Sequence, residues 1–271
     1  MATTKKNKNY RPIGVFDSGV GGLSVLLELK RVLPHENFVF LADQMYVPYG
    51  EKSKSVLVKR VYKIADYFQK YHNIKMMVVA CNTATVYTIG ELRAKCSFPI
   101  VATVPAIKPA AQKTKSGTIA VISTPVTAKS QALKDLIKNN CKNINVLNVG
   151  CSHLENLVEQ GILNGDYVNN LLLKYLEGIK DSDADCLVLG CTHYPFLKKS
   201  IGKILGSRIQ IVDSGEAVAK QTRSLLLTNK MKKNPRSRGA NLYFTTGDSA
   251  QFSKVASKLL KKKVKAKKVK I

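Results

Sequence analysis

Two short segments carry the residues best suited to chemistry. Val78-Val79-Ala80-Cys81-Asn82-Thr83 and Val188-Leu189-Gly190-Cys191-Thr192-His193 each run from apolar residues through a small one to Cys, with Thr close behind. A free thiol ionises near pH ~8.5 and its surroundings can lower that value, so thiol and thiolate are both accessible near neutrality. One such cysteine would suit a nucleophile. Two at matching places suit removal of a proton from one face of a carbon centre and delivery of another to the opposite face, with the roles exchanged in reverse. A buried core position is the ordinary fate of a cysteine, and it is the reading given to Cys96, Cys141, Cys151 and Cys186. The polar neighbours Asn82, Thr83, Thr192 and His193 argue against it for Cys81 and Cys191. A zinc site built from Cys81, Cys191, His193 and Asp17 is the chemical rival, but none of the usual short ligand spacings is present.

The elements that must position these thiols read as alternating strand and helix. Apolar runs at 13–16, 38–42, 76–80, 100–104, 118–122, 145–149, 186–189, 209–212 and 242–245 are the expected strands. Amphipathic stretches at 56–71 and 166–179 place Leu57, Val61, Ile64, Ala65 and Phe68, and Val168, Leu171, Leu172, Tyr175 and Leu176, on single faces. This is the pattern of an α/β protein with mainly parallel sheet, in which functional groups collect at the carboxyl ends of strands. A second strand-to-turn sequence, Val15-Phe16-Asp17-Ser18-Gly19, continues into Gly21-Gly22, where backbone can approach a ligand closely and offer N–H groups to an anion. The glycine spacing is not that of a dinucleotide fingerprint, and no phosphate-loop motif occurs.

The chain has 271 residues, 45% of them hydrophobic, enough to bury a substantial core. Its six cysteines form no CxxC pair, which fits free thiols in a reducing compartment, and no window is long and apolar enough to span a bilayer. A cytoplasmic location is expected. The net charge of +26 is concentrated at the ends: Lys5, Lys6, Lys8 and Arg11 open the chain, and nine lysines from Lys254 to Lys270 close it without an acidic residue between them. Solvated tails are the plain reading, and a weak, salt-sensitive hold on nucleic acid or another polyanion is the alternative.

Taken together and in order, Phe16-Asp17-Ser18-Gly19-Val20-Gly21-Gly22-Leu23, Pro48-Tyr49-Gly50, Ala80-Cys81-Asn82-Thr83-Ala84, Leu189-Gly190-Cys191-Thr192-His193-Tyr194-Pro195, Val212-Asp213-Ser214 and Thr246-Gly247-Asp248 resemble the glutamate racemases of the aspartate/glutamate racemase family. The resemblance extends over roughly residues 13–248. It implies two similar α/β domains with mainly parallel sheets facing one cleft: 1–98 with 208–255, and 99–207, followed by a basic tail at 256–271. It further implies cofactor-independent interconversion of L- and D-glutamate, supplying D-glutamate for peptidoglycan, in a protein expected to be a homodimer. By motif, Cys191 would take the α-proton of L-glutamate and Cys81 that of D-glutamate. Asp17 would assist Cys81, and His193 and Glu159 would assist Cys191. Substrate would be held by Asp17, Ser18, Pro48, Tyr49, Gly50, Asn82, Thr83, Thr127, Thr192 and His193. Glu159 is chosen over Glu155, four residues earlier, because it closes Leu157-Val158-Glu159. A racemase of a related amino acid such as aspartate, and a polyanion-binding protein acting through its basic tails, are the competing functions.

Overall fold

The computed structural model describes residues 8–232 and 239–271; Lys5 and Lys6 lie outside them. Among these residues ten strands alternate with helices: β1 (Ile13–Asp17), β2 (Phe38–Ala42), β3 (Met76–Val79), β4 (Ile100–Ala102), β5 (Thr118–Ser123), β6 (Asn145–Gly150), β7 (Cys186–Leu189), β8 (Gln210–Asp213), β9 (Asn241–Thr245) and β10 (Ala266–Lys268). The chain divides into two compact units, unit 1 running to Thr103 and resuming at Gly215, unit 2 spanning Val104–Ser214. The sequence had suggested boundaries several residues earlier, near 98 and 207. Both sheets are wholly parallel. Every residue of β1, β2, β3, β5 and β7 is buried, as expected of strands covered on both faces by helices.

Unit 1 holds six strands in the order β10-β9-β2-β1-β3-β4 and unit 2 four in the order β6-β5-β7-β8. Counting strands within each unit, the first four of unit 1 and the four of unit 2 share one order, 2-1-3-4. In both, the direction of winding reverses between the first and third strands. Such a switch point opens a crevice at the carboxyl ends of those strands. Asp17 ends β1 and Cys81 follows β3; Ser123 ends β5 and Cys191 follows β7.

The stretch at 56–71 is an α-helix only over Lys54–Tyr67, capped by the Ser53 hydroxyl, which accepts the Val56 N–H at 3.4 Å. It ends in a wider turn of π type, Phe68–His72, closed by Asn73 in the left-handed conformation, φ 46°. Leu57, Val61, Ile64, Ala65 and Phe68 are buried against β1, β2 and β3, so the expected apolar face is the one that packs. The helix Asp166–Lys180 buries Val168, Leu172, Leu176 and Ile179 in unit 2.

Residues 256–271 depart from the expected solvated tail. They complete the helix Ser249–Leu260 and add β10 alongside β9, with Ala266 opposite Tyr243. Val264 and Ala266 point inward between exposed lysines, and Val269 and Ile271 pack against the core of unit 1. Buried and exposed residues alternate over 263–267 with the two-residue period of a strand, and lysines along a sheet edge discourage pairing with another chain. Among the described residues no helix is long and apolar enough to cross a membrane.

Unit 1 also contains a buried clamp. Lys75 Nζ donates to Glu36 Oε2 at 2.5 Å and to the carbonyls of Asn9 and Met231, each at 2.8 Å, so three acceptors meet one ammonium. Both charged side chains are almost wholly buried. Removing one member leaves an uncompensated buried charge. Lys75→Met should therefore lower stability by about 3–5 kcal/mol, read as a lower urea midpoint; an unchanged midpoint would show that the clamp holds nothing.

Candidate active site

Cys81 sits at the junction of strand and helix. It follows β3 and Ala80 and forms the N-cap of the helix Asn82–Lys95, its Sγ accepting the Ala84 N–H at 3.4 Å. A helix N-terminus stabilises negative charge on sulfur through these unpaired N–H groups and the aligned peptide dipoles. Ser18 Oγ lies 3.5 Å from Cys81 Sγ and donates to Asp17 Oδ1 at 3.5 Å. Asp17, fully buried, also accepts the Gly19 N–H at 2.9 Å. The result is a file of proton-carrying groups, Cys81–Ser18–Asp17. It can form only because residue 22 is glycine: a Cβ there would stand 2.5 Å from Asp17 Cβ.

Asn82 and Thr83, on the first turn of the helix, are buried, and Asn82 Oδ1 has no hydrogen-bond partner among the described residues. Pro48, Tyr49 and Gly50 form the turn after β2, with Tyr49 buried and Pro48 and Gly50 half-buried. The Tyr49 hydroxyl is committed elsewhere, donating to Asp43 Oδ2 at 2.6 Å. Burial, then the charge and hydrogen bond of Asp43, hold this phenol well above its ordinary pKa, with nearby Cys81 adding to the effect. Tyr49 can thus offer a ligand its ring and main chain, but not a free hydroxyl.

In unit 2, Cys191 follows β7 and Gly190, and a Cβ on Gly190 would stand 2.9 Å from that of Ser123 on the neighbouring β5. Cys191 Sγ is 3.6 Å from His193 Nδ1, and His193 Nε2 is 2.7 Å from Glu159 Oε1. Burial opposes charge on this imidazole, yet its hydrogen bonds to Cys191 and Glu159 outweigh that and raise its pKa well above the ordinary histidine value. Glu159 ends the helix Leu154–Glu159, whereas Glu155 Oε2 is buried without a partner among the described residues. Thr127, in the short helix after β5, receives the Thr124 hydroxyl at 3.1 Å; Thr192 is buried beside Cys191.

Of the cysteines expected in the core, Cys141, Cys151 and Cys186 are buried, while Cys96 is half-exposed at the end of its helix. Cys151 lies near Cys191. Burial first, then the charges of Cys191 and Glu155, push its pKa up to about 12, leaving it a neutral neighbour. Its carbonyl accepts the Tyr194 hydroxyl at 3.2 Å, anchoring the turn that carries His193. Among the described residues no group of three or more His, Cys, Asp or Glu is arranged to hold a metal ion.

Residues missed in the sequence stand behind these groups. Asp43 accepts from Arg60 Nε at 2.9 Å and Nη2 at 2.6 Å, from Tyr49, and from Thr246 Oγ1 at 2.9 Å. The signal was present: Asp43 closes an apolar strand as Asp17 does.

The Asp/Glu/hydantoin racemase family matches over residues 24–222. A glutamate racemase from Herpetosiphon aurantiacus is 38% identical over 245 residues, covering 90% of this chain and 96% of the relative. The structure of Escherichia coli glutamate racemase in complex with L-glutamate and an activator superposes with a TM-score of 0.82 and 33% identity, covering 92% of this chain and 95% of that one. Glutamate racemase from Francisella tularensis in complex with D-glutamate gives 0.83 and 29%, covering 97% and 98%.

The raised pKa of His193 has a direct test. Its pairing adds stability that is fully present below the ordinary histidine pKa and is lost as pH rises through the raised one. In Glu159→Gln the titration of His193, followed by NMR of carbon-labelled histidine, should move down toward the ordinary value. An unmoved titration would remove Glu159 as a cause.

Proposed function

The chain belongs to the Asp/Glu/hydantoin racemase family, and from that premise we propose that it is a glutamate racemase using the Cys81 and Cys191 thiols as its two acid/base groups. The observation that carries this reading is the twin placement of the thiols, each after the third strand of a 2-1-3-4 parallel sheet and each in contact with a group able to carry a proton. Glutamate is the substrate named for the relatives bound to its L and D forms.

Cys191, as thiolate, removes the α-proton of L-glutamate, and Cys81, as thiol, delivers a proton to the opposite face; D-glutamate reverses the roles. This exchange requires the two thiols to address opposite faces of one carbon. His193, held by Glu159, keeps a positive charge beside Cys191 when that thiol is ionised. Asp17 acts on Cys81 through Ser18. Asn82, with its unpartnered Oδ1, can accept from the substrate ammonium. Ser18, Thr83, Thr127 and Thr192 provide hydroxyl donors, and the Pro48-Tyr49-Gly50 turn provides main-chain groups, to the carboxylates. Neutral donors leave the field at the α-carbon free to stabilise developing negative charge. No cofactor enters this scheme. The product D-glutamate serves peptidoglycan synthesis in the cytoplasm, and the protein works as a homodimer.

Incubation with either enantiomer in deuterated water should give loss of optical rotation together with α-deuterium in the product. Cys81→Ser and Cys191→Ser should each lose racemisation by about 10²-fold or more. Residual exchange should favour L-glutamate in Cys81→Ser and D-glutamate in Cys191→Ser. Full activity in either variant would overturn the mechanism.

A further inference from the structure

The charge excess is not spread evenly over unit 1. After Asp248 the sequence holds no acidic residue, and Lys263, Lys265, Lys267, Lys268 and Lys270 are all exposed along and beside the edge strand β10. Lys265 and Lys267 share one side of that strand, about 6.6 Å apart. Lys267 stands opposite Phe244 in the register, so its side chain leaves the sheet on the same face as that ring.

Phe244 begins a run of rings. It lies 4.9 Å from His72 and 6.2 Å from Tyr67, and Tyr67 lies 5.1 Å from Tyr71, centroid to centroid. Tyr71 is 64% exposed, unusual for so large a ring, and the Lys70 ammonium lies 5.4 Å from its centroid. The π-type turn Phe68–His72 is what carries Lys70, Tyr71 and His72 past the end of the helix. None of these groups enters the proposed racemase chemistry.

We infer that this face, with Lys70 and Tyr71 at one end and Lys265 and Lys267 at the other, is a docking surface for single-stranded nucleic acid. Lysines repeating along an extended strand suit a phosphodiester backbone, whose neutralisation releases counterions. An exposed flat ring suits an unpaired base, since every base offers a π-face. A lipid surface would use the lysines and the ring, but among the described residues this face shows no cluster of exposed aliphatic side chains to enter the bilayer.

The test is fluorescence anisotropy of labelled oligothymidylate with the full chain at low salt. Saturable binding that weakens as salt rises is expected. Tyr71→Ala should weaken it by about 5- to 100-fold. Lys265→Gln with Lys267→Gln should reduce the slope of log K against log salt by about 1.4. Circular dichroism should be unchanged in both, which separates lost contact from lost fold. Absence of binding at low salt, equal affinity of Tyr71→Ala, preference for duplex over single strand, or binding to phosphatidylserine vesicles but not to the oligonucleotide would each overturn the inference.

Discussion

A thiol can exchange protons usefully only while its neighbours are held in register with it, and in unit 1 that register rests on the buried carboxylate of Asp43. Two hydrogen bonds from Arg60 bring in the helix Lys54–Tyr67, one from Tyr49 brings in the turn after β2, and one from Thr246 brings in the end of β9. Arg60 also donates to the main-chain oxygen of Ile271, and its guanidinium lies over the Tyr46 ring. Tyr49 in turn packs on Phe16, the residue before Asp17, with centroids 6.1 Å apart. A charge pair this deeply buried is weak as a source of net stability, but removing either partner is severe. Its consequence is geometric. Four segments converge at the carboxyl end of one sheet, where Asp17 and Cys81 also lie.

The two thiols have unlike surroundings despite their like positions. Cys81 has a helix N-terminus and, through Ser18, a carboxylate. Cys191 has an imidazole held positive by a second carboxylate. One environment acts through backbone dipoles and the other through a fixed cation.

Much of this was legible in sequence, for identifiable reasons. Nine of the ten strands are apolar runs bounded by turns, and both thiols follow such runs through a single small residue. What escaped depended on contacts between distant residues. Asp43 meets Arg60 seventeen positions away and Thr246 203 positions away, distances that no local pattern spans. The bond from the Tyr49 hydroxyl to Asp43 is likewise a contact that the sequence does not display. β10 was hidden because its lysines dominate its composition, while the alternation of Val264 and Ala266 between them is the weaker signal. The helix reading ran on to residue 71 because the π-type turn keeps aromatic residues at nearly helical spacing.

The strand order also bears on how the protein emerges from the ribosome. Unit 2 is continuous, and β5 to β8 can pair as soon as Asp213 is synthesised. Unit 1 cannot finish so early. Until residues 241–246 appear, β2 is an edge, and Asp43 lacks its Thr246 donor. An open, wholly apolar strand waits through the synthesis of more than half the chain, a period in which it can pair wrongly. The later unit in sequence is therefore the earlier to close. The last-made strands, β9 and the lysine-bearing β10, complete the sheet and give it a charged edge in place of the apolar one.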